Sequence, residues 1–295
     1  MTDSLPLVTV LTPVYNGAAF IAETVESVLS QGYPRLQYLV LDDGSIDDTL
    51  ARLEPFRGRI EVRSHANMGE SRTVNRGFEL AEGELVCVVN ADDPLRPGAM
   101  AKAVEAYRAD REALVFYPDW AEIDAESRVI REIRLPDFDI ETMLGTFIIA
   151  MGPGVFISRR ALALVGQRNP ALRYTGDLDY WFRVALRGRM VHLREVLATH
   201  RVHAASASAS QRSESMAREV VGLAERCCGD PLLAPGLRRK AGAILSRAHF
   251  AASFHSGGPG ARAAYLARAF ALSPAAFAGM VLRLSRRRLV RLANA

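Results

Sequence analysis

Two pairs of neighbouring carboxylates carry the chemistry for which this sequence can be read. Asp92 and Asp93 follow the apolar run Leu85-Val86-Cys87-Val88-Val89 and share their turn with Asn90. Asp42 and Asp43 follow Leu36 to Leu41 and lead into Gly44-Ser45. Adjacent carboxylates repel unless something positive sits between them. A hard divalent cation, Mg²⁺ or Mn²⁺, binds one or two carboxylates and fills its shell with water and phosphate oxygens, so Asp92 and Asp93 could carry a diphosphate. The competing reading is a capping turn, in which one aspartate only satisfies the amides of the next helix; Pro94 and Pro97-Gly98 fit either. Asp42-Asp43 could hydrogen-bond a nucleotide base or ribose, or form a turn and helix cap.

The elements around these pairs follow from hydrophobic patterning. Leu7 to Leu11, Leu36 to Leu41, Ile60 to Arg63, Leu85 to Val89 and Leu114 to Tyr117 read as short strands. Ala18 to Ser30 reads as a helix with Ile21, Val25, Val28 and Leu29 on one face, and Ser71 to Leu80 as another. Short apolar strands alternating with helices imply an α/β fold with a mostly parallel sheet covered on both faces. Ligands of such sheets bind at the carboxyl ends of the strands, where Thr12 to Asn16, Asp42 to Ser45 and Asn90 to Asp93 would converge. Beyond about residue 135 the pattern is mixed. Val155 to Ser158 reads as a strand, with Arg159 to Val165 and Leu178 to Leu186 as helices. Ala204 to Ser215 is a Ser/Ala-rich stretch expected to be mobile, and helices follow to the end.

The 295 residues suffice for one large domain or two modest ones. Charge is uneven: Pro231 to Ala295 holds 11 Lys/Arg and no Asp or Glu, which leaves 26 Lys/Arg against 33 Asp/Glu in the rest. A basic tail on an acidic body suggests an anionic partner such as a membrane surface. Cys87 reads as a small core residue, and Cys227-Cys228 fits neither a disulfide framework nor zinc spacing. The N-terminus lacks signal-peptide character, and the apolar stretch Met143 to Ile157 is short for a span and broken by Gly152-Pro153-Gly154. The expected setting is cytoplasmic and reducing.

In order, "VTVLTPVYNGAAFIAETVESVLSQGYPRLQYLVLDDGSIDDT", "NMGESRTVNRGFELAEGELVCVVNADD", "GPGVFISRRALALVGQRNPALRYTGDLDYWFRVALRG" and "HRVHAASAS" resemble the inverting family-2 glycosyltransferases of the GT-A fold. The likeness is close over about the first 120 residues. It implies that Pro13 and Tyr15 lie along the nucleotide base and that Asp43 hydrogen-bonds it. Asn90-Ala91-Asp92 takes the DXD position, with Asp92 as the metal contact and Asp93 supporting. Asn90 replaces the usual first aspartate, retaining a bond to a ribose hydroxyl but losing one negative charge. Val74 stands where many members carry arginine; either Arg72 substitutes for it or that contact is absent. Asp177 matches the family's general base, which such chemistry needs because an acceptor hydroxyl is a poor nucleophile until a carboxylate takes its proton. Asp177 could equally cap a helix beginning at Leu178, and Asp179 is the rival base. His203 aligns with a basic position near the diphosphate; His65, His192 and His200 receive no role. Tyr180, Trp181 and Phe182 read as core.

His249 to Phe277 weakly resembles one tetratricopeptide-like hairpin, which cannot bury its own face and must pack on something else. "FAGMVLRLSRRRLVRLANA" fits an amphipathic helix on anionic lipid or a solvated basic helix; nucleic-acid binding is the weaker option. The fold class expected is therefore α/β: a GT-A, Rossmann-like, mostly parallel sheet with flanking helices plus a C-terminal helical extension. Residues 1–215 would form the catalytic domain, nucleotide-binding to about 120 and acceptor-binding from there, and residues 216–295 the basic extension. The function implied is metal-dependent inverting transfer from a nucleotide-diphospho-sugar, UDP by default, to a glycan or lipid-linked acceptor in bacterial cell-surface polysaccharide synthesis. The location implied is cytoplasmic, peripheral at the inner face of the plasma membrane. A non-catalytic nucleotide-sugar-binding scaffold is the alternative. A nucleotidyltransferase comes third, because Thr12 to Gly17 is not a Gly-rich phosphate loop.

Overall fold

The computed structural model describes residues 5–147, 151–203 and 213–293, with side chains through 284. They form two compact units, one from residues 5–138, 151–170 and 183–203, the other from 139–147, 171–182 and 213–293.

The first unit is built on a sheet of eight strands among the described residues. β1 (Val8–Val14), β2 (Leu36–Asp42), β3 (Glu61–Ser64) and β4 (Leu85–Val88) run parallel in the order β3-β2-β1-β4. Every residue of β1 except Pro13 is buried, as expected where helices cover both faces. α1 (Ile21–Leu29) packs Ile21, Thr24, Val25 and Val28 inward at helical spacing, and α2 (Thr49–Leu53) adds Leu53 to the core. α3 (Glu70–Leu80) comes so close to the sheet that a Cβ on Gly77 would lie 2.8 Å from Leu41 and 2.9 Å from Leu11. Enlarging that residue overpacks the layer, at about 1–3 kcal/mol.

The other half departs from the simple pattern. After α4 (Ala99–Ala109) comes β5 (Val115–Ile123), which extends well past the expected Tyr117 and pairs antiparallel with β6 (Val129–Ile133). β7 (Phe156–Ser158) inserts antiparallel between β4 and β5, and α6 (Arg159–Val165) follows it. The long strand β8 (Met190–Arg201), which patterning did not expose, pairs parallel with β5 through two register shifts between Tyr117 and Trp120.

The second unit gathers α5 (Ile140–Thr146), most of α7 (Gly176–Ala185), α8 (Glu214–Gly229), α9 (Pro235–Arg238), α10 (Ala241–Ala252), α11 (Pro259–Leu272) and α12 (Pro274–Ala293). α10 packs against α5, α8, α11 and α12, so the hairpin of α10 and α11 is joined to α8 through α10. Tyr180, Trp181 and Phe182 are core residues, 1%, 7% and 1% exposed. The Ser/Ala-rich stretch expected to be mobile lies, over 204–212, outside the described residues. No helix among the described residues is long and apolar enough to cross a membrane.

Candidate active site

The loops at the carboxyl ends of β1 and β2 are tied together by their own polar groups. Asn16 adopts a left-handed conformation at φ 53, and its amide donates to Ser45 Oγ at 2.9 Å while its Oδ1 accepts from Ile46 N at 2.9 Å. Asp42 accepts from Ser45 N at 3.0 Å and so makes the turn. Asp43, 4% exposed, accepts from the amides of Met68 (2.7 Å) and Gly69 (2.9 Å) and thereby holds the segment that opens α3. Gly44 permits this approach: its φ is +76, and a Cβ there would sit 2.9 Å from Asn67 N. Pro13 is half-buried beside this turn, and Tyr15 is 51% exposed.

At the end of β4 the two aspartates part company. Asp93 turns inward, 2% exposed, with Oδ2 accepting from Asn90 Nδ2 at 2.9 Å and Oδ1 from the amide of Arg201 at 2.8 Å. His200 Nδ1 lies 3.4 Å from the same carboxylate, and that contact, with Asp92 and Glu122 nearby, raises the His200 pKa above its ordinary value. Asp92 turns the other way, and its Oδ2 lies 3.0 Å from His203 Nε2. The repulsion between neighbours is thus relieved by divergence: one carboxylate builds the loop and the other is presented beside an imidazole.

β8 imposes this division. The loop after β4 runs along it, with Arg96 N donating to Leu197 O (2.9 Å) and Thr199 Oγ1 to Pro94 O (2.6 Å), so the Arg201 amide arrives opposite Asp93. The Arg201 side chain is fully buried. It donates to Asp92 O, Asp124 O, Ser127 Oγ and Glu23 Oε2 at 2.7–3.0 Å and lies 4.5 Å from the centroid of the Phe20 ring. A buried guanidinium persists only when so saturated. Sequence reasoning quoted Arg201 without giving it work; its place two residues before His203 was the only signal.

The remaining expected residues are placed as follows. Val74 is fully buried in the core, and Arg72 is exposed on α3 with Nη1 3.4 Å from Met68 O. Residues two apart on a helix point about 200° apart, so Arg72 does not stand in the position of residue 74. In the second unit, Asp177 is exposed in the first turn of α7, one residue inside the helix rather than just before it, and accepts from Leu178 N at 2.7 Å. Asp179 is 5% exposed and paired with Arg226 at 3.2 Å. Exposure separates Asp177 from its rival: Asp177 is open to solvent and Asp179 is not. Among the described residues, no group of three or more His, Cys, Asp or Glu side chains gathers into a ready metal cage.

Known proteins show the family of the chain. Residues 9–163 match the model of glycosyl transferase family 2. An uncharacterised glycosyltransferase of Rickettsia prowazekii is 26% identical over 208 residues, 68% of this chain and 65% of that protein, so the match spans just under two thirds of the relative's length. The chondroitin synthase of Escherichia coli is 26% identical over 208 residues, 69% of this chain and 30% of the synthase. Among solved structures, S. aureus TarS 1–349 in complex with UDP-GlcNAc superposes with a TM-score of 0.66 at 19% identity, covering 83% of this chain and 73% of that one. The mannosyltransferase PcManGT of Pyrobaculum calidifontis, in complex with GDP-Man and Mn²⁺, gives 0.63 at 19% identity over 97% and 81%. The fold is that of these GT-A neighbours, and the chain belongs to glycosyltransferase family 2.

Proposed function

We propose that the protein transfers a sugar from a nucleotide-diphospho-sugar to an acceptor hydroxyl with inversion, using a divalent cation. The observation that carries this reading is the Asp92–His203 pair at the carboxyl end of a parallel strand, 3.0 Å apart, with Asp93 withdrawn behind it. Asp92 fits the ion as an oxygen ligand, and His203 beside it suits Mn²⁺ better than the harder Mg²⁺: neighbouring ligands of an octahedral cation with bonds of about 2.1 Å lie about 3 Å apart, and such an ion needs only one or two protein groups when phosphates supply the rest. When bound, the ion would offset the charge developing on the departing diphosphate.

The remaining steps fall to the chain's own residues. Pro13 and Tyr15 flank the base, while Asp43, immobilised by two amides, keeps acceptor capacity for it because a carboxylate offers about four lone-pair sites. Asn90 is left to bond a ribose hydroxyl, and Arg72, exposed with Nη1 3.4 Å from Met68 O, is the cation assigned to the Asp43 loop. Asp177 accepts the proton of the acceptor hydroxyl as it attacks the anomeric carbon; its exposure, against the buried and Arg226-paired Asp179, suits that task. UDP is the donor base we adopt from the resemblance, and PcManGT with GDP-Man is the reason to test GDP beside it. A relative that makes chondroitin supports a polysaccharide acceptor, glycan or lipid-linked.

The basic tail would bring this chemistry to an anionic membrane. Phe270 and Leu282 are 55% and 62% exposed, in a stretch without a single acidic residue from Pro231 on. The domain division at residue 215 expected from sequence belongs to the same proposal, with the tail as a docking module.

The deciding measurement is thermal stability with UDP, GDP, dTDP and CDP, each with and without Mn²⁺. A nucleotide at 100 times its Kd should add roughly 2.7 kcal/mol. A rise that needs Mn²⁺ and vanishes in Asp92→Ala supports the reading. No rise with any nucleotide would favour the scaffold alternative.

A further inference from the structure

We infer that α8 is part of the catalytic apparatus and that Glu219 is a positioning residue for Asp177. This rests on the proposed role of Asp177 as base. The segment leading into α7 bends so that three successive amides point to one place, and the Glu219 carboxylate fills it. Oε1 accepts from Arg173 N at 3.1 Å, and Oε2 from Tyr174 N at 2.8 Å, Thr175 N at 3.0 Å and Thr175 Oγ1 at 3.3 Å. A carboxylate in such a nest at a helix N-terminus is favoured twice, by charge-assisted hydrogen bonds and by the helix dipole.

Seven residues on, two turns along the same face of α8, Arg226 holds Asp179 through Nε at 3.3 Å and Nη2 at 3.2 Å. One helix face therefore grips the chain on both sides of Asp177: at the three residues entering α7 and at the acid two residues beyond. Asp177 itself touches neither group among these contacts; it accepts only from Leu178 N, which sits in the turn that the two grips define. Thr175 lies within this bracket, 3% exposed, and its carbonyl accepts from Asp179 N at 2.8 Å. The grips at Glu219 and Arg226 are thus joined by backbone. A base works only when held within fractions of an ångström of its proton, and displacement by about 1 Å can cost roughly 10²-fold in rate.

The test compares Glu219→Ala, Glu219→Gln, Asp177→Asn and the double variant Asp177→Asn/Glu219→Ala in the full chain. The readouts are kcat, the KM for donor, and the nucleotide-induced thermal shift. Glu219→Ala should lower kcat by roughly 10²-fold while donor KM and thermal shift stay unchanged. Glu219→Gln, which keeps the shape and one acceptor oxygen, should recover much of the loss. The double variant should be no slower than Asp177→Asn, because a residue that acts through another adds nothing once the other is gone.

Wild-type kcat in both Glu219 variants, with Asp177→Asn inactive, would overturn the inference while leaving the base in place. So would losses that multiply in the double variant, which would mark a general structural role. Wild-type kcat in Asp177→Asn would instead remove the base reading, and it is recognised from that variant alone. Should Glu219→Ala not fold, Glu219→Gln carries the comparison, since it preserves volume: a smaller but measurable kcat loss at unchanged donor KM is expected, and wild-type kcat in it would overturn the inference.

Discussion

At the end of β4 and at the start of α7 the chain places two carboxylates within three positions of each other. In both places an arginine-bearing element turns one of them inward: β8 takes Asp93 and α8 takes Asp179. The outward partners differ. Asp92 has an imidazole 3.0 Å away, whereas Asp177, among the described residues, accepts from the next amide of its own helix. The difference suits the two kinds of work proposed for them. A group that shares a cation is best placed beside a second ligand, and a group that takes a proton is best left exposed and held only through its backbone. Motif lettering treats both pairs as acidic doublets; burial and partners divide each into a builder and an actor.

This division can be broken experimentally, beginning with the largest effect. Asp177→Asn should lower turnover by roughly 10²–10⁴-fold while the nucleotide-induced thermal shift persists, measured by steady-state rates and melting curves side by side. Asp93→Ala should unfold the loop's support, stranding the amides of Arg201 and Asn90 and costing about 3 kcal/mol in urea denaturation, whether or not a ligand is present. Asp92→Ala should do the reverse, changing the stability of the free protein by less than about 1 kcal/mol while removing any Mn²⁺-dependent nucleotide shift. If Asp92→Ala destabilised as much as Asp93→Ala, the builder-and-actor distinction at this loop would fail. Smallest of all, Asp179→Asn should cost about 1 kcal/mol of stability by weakening the pair with Arg226 and should leave the rate within a few-fold of wild type. A rate loss in Asp179→Asn as large as in Asp177→Asn would reverse their assignment.

Much of the first unit was legible. β1, β2 and β4 are short, nearly continuous apolar runs because both sheet faces are covered, and each ends at its polar loop, so the three loops could be placed on one edge. Asp43, Asp92 and His203 were named from the resemblance, and the structure shows what they touch. What the sequence hid is long-range. β8 reads as Met-Val-His-Leu-Arg-Glu-Val-Leu, without clean alternation, because its pairing with β5 slips register twice. The inward turn of Asp93 depends on an amide 108 positions away, and the nest filled by Glu219 lies 44–46 positions before it. No local rule connects a helix in the tail to the residues entering α7, since hydrophobic period reports which face is buried and not which carboxylate a distant amide will meet.

The bond between Arg201 and the acid loop also has a consequence in time. β1, β2 and β4 can pair as soon as they leave the ribosome, but Asp93 receives its amide from Arg201, and β8 must arrive first. At 5–20 residues per second the intervening chain takes on the order of ten seconds to synthesise. Pulse proteolysis of chains stalled on either side of residue 201 would date the event by the protection of the 90–93 segment. Until then the nascent protein carries its sheet with Asp93 lacking the backbone amide that holds it inward.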